Sequence, residues 1–173
     1  MRWGWRAGVV VVAWMLLGLS GCGGGSDATT TLTFEGDSML PTITDGAELR
    51  IDEMAYADSS PEVGDLIVFL KDSQLIVKRV VAVAGQTVEF RDCQLYVDGL
   101  PVDEPYVDRE GEARRGCGGS VDRAPVPDGA LWVLGDSRGR SSDSRVFGAV
   151  SLGEVKGQVI ATRVAGLSTW TDL

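Results

Sequence analysis

From residue 32 onward the chain shows no apolar repeat of helical period sustained over several turns. It shows short runs rich in valine, isoleucine and aromatic residues, punctuated by glycine and aspartate, the pattern of β-strands joined by tight turns. The runs predict strands at 32–35, 47–51, 65–70, 75–83, 87–90, 94–97, 130–134 and 158–164. Asp98-Gly99, between "QLYV" and "LPVDE", is a two-residue hairpin signal, because both central positions of that turn require positive φ. Lys71 to Ser73 joins two further apolar runs. Alternation with period two places Ile76, Lys78, Val80 and Ala82 on one face of "LIVKRVVAV". The stretch 107–129 is charged, rich in glycine and without periodicity, and is expected to be a loop-rich insertion. The reading is a mostly β chain with no internal repeat.

The first residues follow another pattern. "MRWGWR" supplies two arginines, and an apolar stretch runs from Ala7 to Leu19. It is shorter than the ~20 residues a membrane-spanning helix needs, and it has the basic and apolar regions of an export signal. Its end, Leu19-Ser20-Gly21-Cys22, resembles a bacterial lipobox. That resemblance implies removal of 1–21 and lipid attachment to Cys22; the alternative is an uncleaved signal anchor. Residues 22–31, rich in glycine, serine and threonine, are expected to be a flexible tether, with the folded domain spanning 32–173. In an exported chain Cys93 and Cys117 then remain as an even number. Paired, they would stabilise the domain by ~3 kcal/mol; the alternative is two free thiols.

Length and charge narrow the function. A chain of 173 residues with 44% hydrophobic residues has the core of one domain. Its formal net charge of -9 leaves no basic face for phosphates, so nucleic acid is not an expected partner. No histidine is present, and the acidic residues show no calcium-loop spacing, so neither metal nor cofactor is expected.

The missing imidazole also decides among nucleophiles. Ser38 lies in "GDSMLPT", a short polar turn after the run "TLTFE". "GDSRG" at 135–139 matches the G-x-S-x-G nucleophile elbow, but that mechanism and the esterase chemistry of a GDS-type opening both need a histidine base. Lysine or a carboxylate is left. The chain holds three lysines against thirteen arginines, and arginine does not deprotonate in proteins. Lys71 and Lys156 adjoin turn residues. Lys78 sits within an aliphatic strand, where desolvation would pull its pKa down from ~10.4 toward the ~7–8 of a working base. The strand alone leaves a second reading open, a lysine that lays its stem along the sheet and keeps its head in water.

Three blocks occur in order: "GDSMLPT", "VGDLIVFLKDSQLIVKRVVAVAGQTVEF" and "GDSRGRSSDSRVFGAV". Together they resemble the signature boxes of type I signal peptidases, serine-lysine endopeptidases that remove export signals, and "QLYVDGLPVDEPYV" is similar to that family's hairpin. The likeness covers about residues 32–163. It implies the family's coiled antiparallel β-sheet fold, Ser38 as nucleophile, Lys78 as general base and the Ser38 N–H as an oxyanion donor. Ser141 matches the position whose hydroxyl orients the lysine, and Asp143 and Arg145 match a supporting ion pair. Met39, Ile76 and Val77 fall where the family lines shallow apolar pockets, which favour small residues in Ala-X-Ala substrates; the other reading of these three is core packing. Some members carry a serine at the position of Gly36, so that side-chain donor is missing here. Ser137, Arg140 and Ser151 also depart from common family residues.

The implied partners are signal-peptide-bearing proteins and membrane lipid; the sequence does not fix the oligomeric state. A lipid anchor would replace the transmembrane anchors usual in the family and place the domain in the periplasm or elsewhere on the extracytoplasmic side. Gly23 after Cys22 resembles outer-membrane lipoproteins in lacking aspartate there. A catalytically silent lipoprotein scaffold is the competing class, and retention of Ser38, Lys78 and Ser141 together argues against it. A self-cleaving repressor is disfavoured by the export signal and by the lack of a DNA-binding segment.

Overall fold

The computed structural model describes residues 28–173. The expected signal segment 1–21, Cys22 and most of the tether lie outside the described residues. The domain is mostly β. Its larger, eight-stranded sheet has the order β1 (Thr29–Thr33), β2 (Glu48–Asp52), β11 (Val155–Arg163), β3 (Leu66–Lys71), β4 (Gln74–Val83), β9 (Ala130–Leu134), β10 (Val150–Ser151), with β12 (Thr171–Asp172) added to β11. The smaller sheet runs β7 (Leu100–Pro101), β6 (Gln94–Val97), β5 (Thr87–Arg91), β8 (Val121–Pro125). All pairings are antiparallel.

Burial explains which runs read as continuous and which alternate. Leu66 and Val68 of β3 enter one core cluster with Phe34, Met39, Ile43, Leu49 and Val77, whereas Ile67 and Phe69 enter another with Val80, Leu131 and Val133. A strand buried on both faces carries an unbroken apolar run. A third cluster, built on Val81, Ala82, Val88, Phe90, Leu95 and Leu134, joins strands of both sheets. The Asp98-Gly99 turn takes φ of 52° and 81°, as the hairpin requires, and the Asp72-Ser73 turn between β3 and β4 takes 48° and 65°.

Several details differ from the sequence reading. Regular structure starts at Thr29, because threonines 29–31 pair as an edge strand with Arg50, Ile51 and Asp52; β-branched side chains suit a half-exposed edge. Ala82 does not share a face with Val80: the register shifts between them, and the bulge sends Ala82 into the cluster that joins the sheets. The insertion 107–129 is not loop throughout. It holds α1 (Arg109–Arg115), whose N-terminus is capped by Asp108 accepting from the Gly111 N–H, and β8, which pairs with β5. Pro125 ends β8 on the outer edge of its sheet, where a missing donor is tolerated. The C-terminal β12 is held where the Trp170 ring meets the guanidinium groups of Arg50 and Arg163, 4.3 and 4.6 Å from its centroid.

Candidate active site

Ser38 sits in an irregular turn between β1 and β2 that is fastened on both sides. Met39 and Ile43, both fully buried, anchor it in the core, and the Ile43 N–H donates to the Met39 carbonyl. The Ser38 carbonyl accepts from the Ser137 N–H at 3.1 Å, tying the turn to the segment after β9. The Ser38 N–H donates to no acceptor among the described residues. The Gly36 N–H is occupied, donating to Asp45 Oδ1 at 2.7 Å, so it is withheld from any oxyanion.

Lys78 enters from β4, flanked by Ile76 and Val80 and paired across the ladder with Ile67. It is 3% exposed, and Ser38 is 4% exposed. Its Nζ donates to Ser38 Oγ at 2.8 Å and to its neighbour's carbonyl, Val77 O, at 2.8 Å. Burial pulls the amine down to about 8, against the upward effect of the Asp143 and Asp136 carboxylates and with a further downward effect of Arg145. An amine lowered in this way gives up its proton far more readily near neutral pH than an ordinary lysine does. The hydrogen bond can then reverse, with the hydroxyl donating to the nitrogen lone pair, the arrangement a general base needs.

The surrounding charges form a fixed frame. Asp143 caps α2 (Ser144–Phe147), accepts from the Gly135 N–H at 3.0 Å and from Arg145 Nε at 2.8 Å, and is fully buried. The expected Asp143–Arg145 pair is therefore present. Arg145 also donates to the carbonyls of Cys117 and Arg138. Arg79, next to Lys78, grips Asp136 through Nε and Nη2 at 2.9 and 2.8 Å, and Thr42 donates to the same carboxylate. Behind them Arg138 donates through both terminal nitrogens to Glu104, and through Nε to the Gly135 carbonyl. Glu112 of α1 accepts from the Gly139 N–H at 2.8 Å.

The remaining expected residues fall as follows. Ser141 Oγ is buried beside Gly135 but has no hydrogen-bond partner among the described residues, so it does not contact Lys78 through a hydrogen bond. Met39 and Val77 pack in a core cluster, while Ile76 is half-buried. Cys93 and Cys117 form a disulfide, as the even count led one to expect. Among the described residues no group of histidine, cysteine, aspartate or glutamate is clustered for a metal ion. Sequence reasoning missed Arg79, Glu104, Glu112, Asp136 and Arg138. Four of these lie inside or beside the quoted blocks, where a charged residue in an apolar strand or a tight turn was the available signal. Glu112 lies in the aperiodic segment and gave none.

The chain is similar to several known proteins. The family described as signal peptidase, peptidase S26, matches residues 7–163. A Synechocystis protein named probable signal peptidase I-1 is 34% identical over 147 residues, covering 79% of this chain and 71% of that one. Signal peptidase IB of Staphylococcus aureus is 32% identical over 148 residues, covering 78% of each. The crystal structure of a signal peptidase I from Enterococcus faecalis superposes with a TM-score of 0.52 at 31% identity, covering 58% of this chain and 97% of that one.

Proposed function

Because this chain belongs to the signal peptidase family, peptidase S26, and is thus a signal peptidase I-like hydrolase, we propose that it cleaves export signals with Ser38 as nucleophile and Lys78 as general base. The observation that carries the proposal is the 2.8 Å approach of a buried amine to a buried hydroxyl. Neutral Lys78 takes the proton as Ser38 Oγ adds to the scissile carbonyl. It returns that proton to the departing amine, leaving an acyl-serine that water hydrolyses with Lys78 again accepting the proton. The unoccupied Ser38 N–H is the backbone donor to the oxyanion. Gly36 adds none, which makes the site leaner in donors than one with a serine there.

Ile76, half-buried one residue before the Val77 carbonyl that Lys78 holds, is the proposed contact for a small substrate side chain, with Met39 and Val77 supporting it from the core. Substrates of the Ala-X-Ala type follow. We further propose that lipid on Cys22 holds the domain to the extracytoplasmic face of a membrane. Among the described residues no helix is long and apolar enough to cross one. Two or three acyl chains would anchor it firmly.

The test is cleavage of a synthetic signal-type peptide by the membrane-extracted protein. Wild type should cut after Ala-X-Ala, and Ser38→Ala should lower kcat/KM by a factor on the order of 10³. Equal rates for the two proteins would reject the proposal.

A further inference from the structure

We infer that the Cys93–Cys117 disulfide is a redox-sensitive positioning device for the Ser38–Lys78 site, acting through the Cys117 carbonyl and Arg145. The inference rests on the proteolytic reading of that site. Its path is short and made of named contacts. Cys93 occupies the positive-φ turn between β5 and β6 at φ 61°, on the smaller sheet. The disulfide holds Cys117, two residues beyond the end of α1, beside that turn. The Cys117 carbonyl accepts from Arg145 Nη1, and Arg145 Nε and Nη2 bracket the two oxygens of Asp143 at 2.8 Å each. Asp143 in turn accepts from the Gly135 N–H, and Gly135 leaves no room for a Cβ between itself, Ser141 and the Ser38 carbonyl.

Both sulfur-bearing residues are half-buried rather than enclosed, so a dithiol can reach them. Reduction is a two-electron exchange. The attacking dithiol becomes a disulfide, and Cys93 and Cys117 each take a proton as thiols. Among the described residues, the segment 116–120 is then held by the α1 cap, by β8, by the packing of Cys117 against the cluster that joins the sheets and by the Arg145–Cys117 hydrogen bond itself. Gly116 and Gly118 both take positive φ, at 83° and 79°, and among the described residues the Cys117 carbonyl is the acceptor this segment offers to Arg145. Losing the cross-link loosens the carbonyl, and the guanidinium loses the acceptor of its Nη1 while keeping Asp143 and the Arg138 carbonyl.

The consequence for Lys78 follows from the charges that face it. Asp136, neutralised by Arg79, comes from the segment after β9; Asp143 and Arg145 come from α2 and its cap; Ser38 and Val77 supply the hydrogen-bonding oxygens. Arg138, nearby, is paired with Glu104. Arg145 opposes protonation of Lys78 and Asp143 favours it. An Arg145 without its Nη1 acceptor shifts within its bonds to Asp143 and the Arg138 carbonyl and neutralises Asp143 less completely, so the amine holds its proton to higher pH and fewer molecules carry a competent base at neutral pH.

The experiment follows the Lys78 amine directly in lysine-labelled protein; with three lysines in the chain the resonance is assignable by Lys78→Arg. The oxidised protein and protein reduced with dithiothreitol are compared, with near-ultraviolet circular dichroism reporting retention of the fold. The titration should move up by about half a unit to one unit on reduction, and kcat/KM at pH 7 should fall ~three- to tenfold with KM little changed. The Cys93→Ser/Cys117→Ser variant should behave as the reduced protein and ignore dithiothreitol. If reduction unfolds the domain, oxidised Arg145→Gln supplies the same comparison and should show the same upward shift. An unchanged Lys78 titration, in whichever of these pairs remains folded, overturns the inference. A shift without peptide cleavage in either redox state would keep the device and reject the proteolytic reading.

Discussion

At the scale of the residue, Lys78 is the group whose environment can be measured twice, in rate and in stability. Its folded value of about 8 lies below its ordinary 10.5, so between those two pH values the unfolded chain binds the extra proton. Unfolding then becomes less favourable as pH rises through that window, and the penalty is full at neutral pH and below. Converted, the shift amounts to ~3 kcal/mol of destabilisation at pH 7. Lys78→Met, similar in length and apolar, should therefore unfold at higher urea than wild type at pH 7, with the gap closing by pH ~10. A constant gap would place the amine in solvent. Lys78→Arg tests the chemistry instead: the guanidinium stays protonated, so peptide cleavage should drop by ~10³-fold even if the fold survives. Ser38 and Lys78 were legible as candidates through the likeness of their blocks to the family's boxes, because a charge inside an aliphatic run alone left a solvated lysine open as well. Ser141 was legible as a position but not as a contact, since a hydroxyl's partner depends on sub-ångström placement that no spacing encodes.

Among elements, the two turns that flank β9 and α2 matter most, because they carry the carboxylates that frame the amine. Gly135 is there for want of space: a Cβ built on it would come within 2.3 Å of Ser141 Oγ and 2.5 Å of the Ser38 carbonyl. Gly135→Ala should displace the Ser38 turn, destabilise the domain by ~1–3 kcal/mol and reduce cleavage more than it reduces thermal stability would explain; a variant with wild-type kcat/KM would contradict this. Glu104→Ala removes one half of a fully buried pair and leaves Arg138 charged without its partner. A loss of ~3–5 kcal/mol is expected in urea unfolding, and a loss below ~1 kcal/mol would show that the pair is solvated. Strands β3, β4 and β9 were readable from their apolar runs. The helix α1 and strand β8 were not, because seven and five residues make too few turns or alternations to stand out from a charged, glycine-rich background, and their stability comes from the cap, the disulfide and the partner strand.

Across the whole molecule, the larger sheet presents the lysine and the smaller sheet braces the segments that hold it. The apolar cluster joining both sheets and the Glu104–Arg138 pair cross between them, while the disulfide ties the segment before β8 to the β5–β6 turn of the smaller sheet. The N-terminal segment sets where that body works. Intact mass of the membrane-extracted protein should show acylated Cys22 at the first position, whereas a chain beginning at Met1 would refute lipid attachment. The claim on which all of this converges is that a dry amine beside Ser38 performs the proton transfer. The most direct test is the pH dependence of kcat/KM for a signal-type peptide, measured from pH 6 to 10. The account predicts a rise of one proton's steepness that levels off near pH ~8, following the Lys78 titration and absent from Lys78→Ala. A profile that is flat across that range, or that survives unchanged in Lys78→Ala, would contradict it.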